Sequence, residues 1–147
     1  MANDENSLTG MKQFLELLPD TVLIVNKEGF IEDLLNYQPE ISLFLTPQQQ
    51  KGQTIRELFC YKNLRGDSGN ELLNAFLDTM ETRKSNIIHY EVENEGHIGY
   101  AEGYIIPFED YTFGIFRNMT KRVEAQLETI NEKNKLTMAL KAGNLSV

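Results

Sequence analysis

The stretch from Tyr111 to Lys135 limits what this chain can become more than any other. Tyr111 to Arg117 is rich in β-branched and aromatic residues and suits a pleated strand, and it runs into helical sequence without an intervening Gly or Pro. In the helical part Met119, Val123, Leu127, Ile130 and Asn134 recur at 3–4 spacing, with Lys121, Glu124, Glu128, Glu132 and Lys135 on the opposite side. A strand that hands over directly to a helix of this kind couples a sheet to whatever the helix pairs with. That is the layout of a signalling module.

The remaining chain supplies a body for this element. Its 147 residues, 41% apolar and 10% aromatic, suffice for one domain with a real core. The longest apolar runs, Thr21 to Val25 and Tyr104 to Phe108, fall far short of the ~20 residues that span a bilayer, and Met1 to Gly10 is too acidic and polar for a signal peptide. No membrane contact and a cytoplasmic location are expected, and the single cysteine, Cys60, suits a reducing compartment. The net charge of −8 is uneven: residues 119–147 carry five Lys/Arg against three Glu, and residues 1–118 carry nine against nineteen. So acidic a body repels phosphate backbones, which argues against nucleic acid as a partner.

In chain order, Met1 to Ser7 reads as a loose leader. Met11, Phe14, Leu15 and Leu18 then form one face of a short helix ended by Pro19. Thr21 to Asn26 and Phe30 to Asn36 read as a hairpin about Lys27-Glu28-Gly29, and Pro39 to Thr46 and Gln53 to Phe59 as two short helices. Ser68-Gly69-Asn70-Glu71 has capping-box spacing before a longer helix reaching about Arg83, whose buried face is Leu72, Leu73, Phe76, Leu77 and Met80. Asn86 to Glu93 alternates an apolar row (Ile88, Tyr90, Val92) with a wetter one. Ile98 to Pro107 sets Ile98, Tyr100, Glu102, Tyr104 and Ile106 against Gly99, Ala101, Gly103 and Ile105. Helices segregated between a hairpin and a three-stranded meander make the class α+β, not a parallel α/β sheet.

From about Phe14 to Val123 the sequence resembles a PAS domain. The resemblance rests on Leu18-Pro19-Asp20 and the hairpin through Asn36, on Gly52 to Phe59 (GQTIRELF), and on Arg117-Asn118-Met119-Thr120, which resembles the D-I-T motif closing the family's last strand. It implies a five-stranded antiparallel sheet with helices on one face, flanked by amino- and carboxy-terminal amphipathic helices. Residues 1–13 are then leader and helix start, 14–118 the PAS-like domain and 119–135 an output helix. Lys135 to Val147 (KLTMALKAGNLSV) resembles the opening helix of a further PAS domain, and independently Leu136 and Leu140 leave the Val123/Leu127/Ile130 stripe, so residues 136–147 read as the start of a following element. The implied parent is a bacterial sensor histidine kinase or hybrid two-component protein, with flanking PAS or kinase domains as partners. One departure is Asn118, which stands where the family carries an acidic residue and can hydrogen-bond but not hold its charge.

Site expectations follow from both readings. Arg117, Asn118 and Thr120 are the residues that would couple sheet to helix. A homodimer is expected through the amino-terminal helix, the outer sheet face or the carboxy-terminal helix; in the last case Val123, Leu127, Ile130 and Asn134 would form a coiled coil, Asn134 fixing register, unless this stripe folds back on its own sheet. Phe44, Phe59, Phe76, Met80, Tyr90, Tyr100 and Tyr104 would line a ligand pocket between helices and sheet, or simply fill the core. Gly99, Ala101 and Gly103 would let another chain or helix approach the opposite sheet face, or mark twist in the strand. No cofactor is supported: Phe59-Cys60-Tyr61-Lys62 lacks the surroundings of a flavin-adduct cysteine, and Asn70 to Arg83 offers no histidine to haem. Catalytic and metal motifs are missing, and His89 and His97 both read as surface histidines. The sensor reading therefore stands against a ligand-free spacer that pairs subunits, and against a small α+β-barrel enzyme whose only attractive group is Glu102.

Overall fold

A computed structural model describes residues 2–38, 41, 52–59 and 65–145. Helix α1 (Ala2–Leu15) leads into strands β1 (Thr21–Val25) and β2 (Ile31–Leu35). Helices α2 (Ile55–Leu58) and α3 (Ser68–Thr82) follow, then β3 (Asn86–Asn94), β4 (His97–Phe108), β5 (Tyr111–Asn118) and α4 (Thr120–Leu145). The strands form one antiparallel sheet in the order β2-β1-β5-β4-β3, so the last strand lies in the middle beside the first. The fold is α+β, as expected.

The hairpin turns where the sequence provides for it. Gly29 takes φ +88°, and the Asn26 side-chain oxygen accepts from the backbone N–H of Glu28 and of Phe30, each at 3.0 Å. Helix α2 is capped by Thr54, whose hydroxyl accepts from Glu57 N–H at 3.2 Å. Helix α3 ends at Arg83 in the left-handed conformation.

Helices pack on both faces of the sheet, by different means. On the inner face α2 and α3 cover a core of Leu23, Val25, Ile55, Leu58, Leu72, Phe76, Ile88, Tyr90 and Phe116. On the outer face α1 lays Leu8 and Leu15 over Val22, Ile24, Leu35 and Phe113, with Met11 and Leu18 half-buried beside them. Lys12 of α1 pairs with Asp33 of β2 at 3.1 Å. Asn36, at φ +55°, donates from Nδ2 to the carbonyls of Leu15, Leu18 and Asp20 at 2.8, 2.9 and 3.0 Å and so fixes the exit of α1 against the end of β2.

Several expectations need correction. Helix α1 begins at Ala2, where a loose leader over Met1 to Ser7 was expected, because Leu8 has apolar sheet to cover. Phe14 is exposed, since Leu8, Met11 and Leu15 already fill the side of α1 that meets the sheet, with Leu18 packed just beyond its end. The capping box does not form: Ser68 is inside α3, Asp67 holds the cap position, and no side chain bonds there. Helix α4 runs without a break through Lys135, so the change of apolar register at Leu136 occurs within one helix. Cys60, Phe44 and the helix expected over Pro39 to Thr46, apart from buried Ile41, lie outside the described residues.

Candidate functional site

Three places bear on function, and the first is the junction of β5 and α4. The Asn118 side-chain oxygen accepts from Thr120 N–H at 3.0 Å, taking up one of the donors that a helix start leaves over. Beyond the last cross-strand pair, Ala101 with Asn118, Met119 N–H donates to the Tyr100 carbonyl at 2.7 Å and the buried Thr120 hydroxyl accepts from Tyr100 N–H at 3.1 Å. Both backbone groups of Tyr100 are thus held by the base of α4. Arg117, expected at this junction, reaches instead to Asp20 at 3.6 Å, its own side chain exposed and that of Asp20 mostly buried.

Second is the inner face, where the pocket aromatics were expected to meet. Phe59 and Phe76 have ring centroids 5.4 Å apart, Phe76 and Phe116 6.5 Å, and Tyr90 stands edge-on to Phe116 at 5.6 Å. The Tyr90 hydroxyl donates to the Ile41 carbonyl at 3.2 Å, and burial pushes its pKa far above the usual phenol range. The residues that meet these rings on the strands are glycines. A Cβ on Gly103 would lie 3.0 Å from the Phe116 ring, and one on Gly114 2.6 Å from the tip of Phe76. Met80 is only half-buried and borders a crevice of about 220 Å³ with Lys27 and Arg83.

Tyr100 and Tyr104 do not join this set. Register pairs Tyr90 with Ala101 and Ile88 with Gly103, so the small row of β4 faces inward and the row of Tyr100, Glu102 and Tyr104 faces outward. Volume explains the inversion: Phe76, Tyr90 and Phe116 already occupy the inner layer and leave room for little beyond glycine and alanine. Glu102 goes outward with the tyrosines, away from the space between helices and sheet where the enzyme reading placed its acid.

Third is the outer face beside α4, where α1 does not reach. A cleft of about 510 Å³ opens between β3, β4 and the first turns of α4, with Glu91, Tyr100, Glu102, Met119, Arg122 and Val123 among its walls. The Glu102 carboxylate receives the Tyr104 hydroxyl on one oxygen and stands 3.0 Å from His89 Nε2 on the other. The Tyr104 bond first, and His89 second, hold the Glu102 carboxyl below its ordinary value; the same bond raises the Tyr104 phenol. Across the strands His89, Glu102 and Arg117 stand in one row, which Asp20 continues through its pair with Arg117. At the rim Glu91 is matched by Arg65 at 3.1 Å. Arg122 has no hydrogen bond or ion pair among the described residues.

Sequence reasoning did not assemble this cleft, although the period-2 pattern already put His89, Glu91, Tyr100 and Glu102 on one face. The α4 stripe divides here as well: Val123 is half-buried against the cleft, whereas Leu127 and Ile130 are 47% and 52% exposed, and Asn134 is exposed in line with them. Among the described residues no helix is long and apolar enough to cross a membrane, and no group of three or more His, Cys, Asp or Glu side chains is placed to hold a metal ion.

No protein-family model and no curated protein matches this sequence. Solved structures do resemble it. The PAS domain of BvgS from Bordetella pertussis is 21% identical, with a TM-score of 0.52 over 89% of this chain and 98% of that one. The PAS domain of the RpfR quorum-sensing receptor of Cronobacter turicensis, in complex with BDSF, is 12% identical with a TM-score of 0.53 over 70% and 96%. The Photoactive Yellow Protein domain of the sensor histidine kinase Ppr from Rhodospirillum centenum is 11% identical with a TM-score of 0.54 over 71% and 90%. At these identities the likeness is one of fold, and the fold of this chain is that of a PAS domain.

Proposed function

We propose that this chain, having the PAS fold, is a sensor and self-association module of a cytoplasmic signalling protein, relaying an event at its sheet through α4 to an output domain such as a histidine kinase. The observation that carries this reading is the hold on Tyr100: the base of α4 bonds both its N–H and its carbonyl, so β4 and α4 move together. Beyond Val123 the helix presents Leu127 and Ile130 to solvent on one stripe, apolar surface that suits a second copy of the helix, and Leu136 and Leu140 on another. Asn134, in line with Leu127 and Ile130, would sit in that seam and favour one register. An event at the sheet switches the output only if it favours one arrangement of the paired helices over the other.

A second reading is supported by the inner face. Rings and glycines there meet at close range, which suits a ligand-free spacer that pairs subunits and passes motion between neighbouring domains. Native mass spectrometry of the whole chain tests both readings. A dimer that Leu127→Ser with Ile130→Ser converts to monomer supports self-association through α4, and a wild-type monomer refutes it. A small bound mass released on denaturation favours the sensor; a dimer without one favours the spacer.

A further inference from the structure

The outer cleft contains chemistry that a mechanical relay does not use. Its volume, about 510 Å³, falls in the range of roughly 300–1,000 Å³ typical of small-molecule sites. Two of its walls bear opposite charges. Tyr104 and His89 support the charged form of Glu102, and Arg122 brings a guanidinium to the other wall. The two do not pair with each other, and Arg122 has no other partner among the described residues. The remaining charge at the rim, Glu91, is balanced by Arg65. Met119, Val123 and the ring of Tyr100 give the same cleft an apolar component.

A negative and a positive group held apart across a cleft of this size suit a ligand bearing both charges. A simple anion would engage Arg122 but not the lone pairs of the Glu102 carboxylate left over by Tyr104 and His89, and a simple cation would leave Arg122 without a partner. We propose that the cleft binds a small zwitterion, a free amino acid with an apolar side chain, its carboxylate on the Arg122 guanidinium and its ammonium group on the Glu102 carboxylate. Such a ligand would bridge β4 and the first turn of α4, the two elements joined at Tyr100. The site does not depend on self-association, because all of its walls come from one chain.

The test is a series of amide NMR titrations of the whole chain with L-leucine and L-phenylalanine. Parallel titrations use their singly charged counterparts, 4-methylpentanoate and 3-methylbutylamine, 3-phenylpropionate and phenethylamine. At least one amino acid should saturably shift the amides of Tyr100, Glu102 and Arg122, leaving Ile88 on the inner face unmoved. It should bind at least about tenfold more tightly than its singly charged counterparts, the worth of one charge-assisted hydrogen bond. Arg122→Gln and Glu102→Gln should each weaken it to a similar degree. The proposal is overturned if neither amino acid shifts these amides, if a singly charged counterpart binds equally well, or if both variants bind like the wild type. Concentration-dependent shifts of the same amides without ligand would assign the cleft to a second copy of the chain and also overturn it.

Discussion

The ring of Phe76 occupies the space that any side chain on Gly114 would need: a Cβ built there lies 2.6 Å from Phe76 Cζ and 2.8 Å from Phe116 Cζ. Gly114 lies in β5 between β1 and β4, so neither ring can withdraw without disturbing the middle of the sheet. Gly114→Ala should therefore destabilise the domain by about 1–3 kcal/mol, as overpacking of a filled core does. Urea denaturation checks this, and Phe76→Leu in the Gly114→Ala background should recover part of the loss. A Gly114→Ala protein as stable as the wild type would mean that the inner face is looser than described.

Thr120 is buried and its hydroxyl is the acceptor for Tyr100 N–H. Thr120→Val keeps the shape and removes the acceptor, at an expected cost of about 1–3 kcal/mol for an unpaired buried donor. Amide exchange should accelerate at Tyr100 in Thr120→Val and stay slow in Thr120→Ser. If both variants exchange like the wild type, the hydroxyl is not what ties α4 to β4.

Asn36 combines a left-handed backbone with three bonds to carbonyls at the end of α1 and before β1. Asn36→Ala loses the bonds and strains the backbone, so about 1–3 kcal/mol should be lost. Asn36→Gly relieves only the strain and should lie between Asn36→Ala and the wild type in thermal denaturation. Equal melting of the two variants would show that backbone conformation plays no part.

The pair of Glu102 and Tyr104 makes stability depend on pH at both ends of the scale. The folded state lowers the Glu102 pKa, so its contribution is complete above the ordinary carboxylate range near 4.3 and fades as pH falls through the lowered folded value. The Tyr104 pKa is raised, so its contribution is complete below the usual phenol value of about 10 and fades as pH rises through the raised one. The stability difference between wild type and Glu102→Gln should be level across the neutral range and shrink at the acid end. A difference that stays constant into strong acid would show that the carboxylate gains nothing from its neighbours.

How legible this was differs between backbone and site. Alternation in β3 and β4, Gly29 in the hairpin turn and the apolar face of α3 gave the order and type of the elements, because each is a local pattern in residues close in sequence. The facing of β4 was the failure. Tyr100 and Tyr104 look more like core than Gly99 and Gly103 do, and only the volume of Phe76 and Phe116, contributed by other elements, reverses the choice. Glu102 within the aromatic row was the available hint, since an inward row would bury that carboxylate. The cleft was hidden for a related reason: Arg122 and Glu102 are brought to one place by the β5–α4 junction, which no periodicity reveals.

At the usual rise per residue, the 26 residues of α4 make a rod about 39 Å long, gripped at one end by Tyr100. Its geometry amplifies: a tilt of about five degrees at the base, a shift of tenths of an ångström at Thr120, sweeps the far tip through about 3 Å. A displacement too small to disturb any hydrogen bond in the sheet thus becomes, near Leu140, as wide as half a side chain.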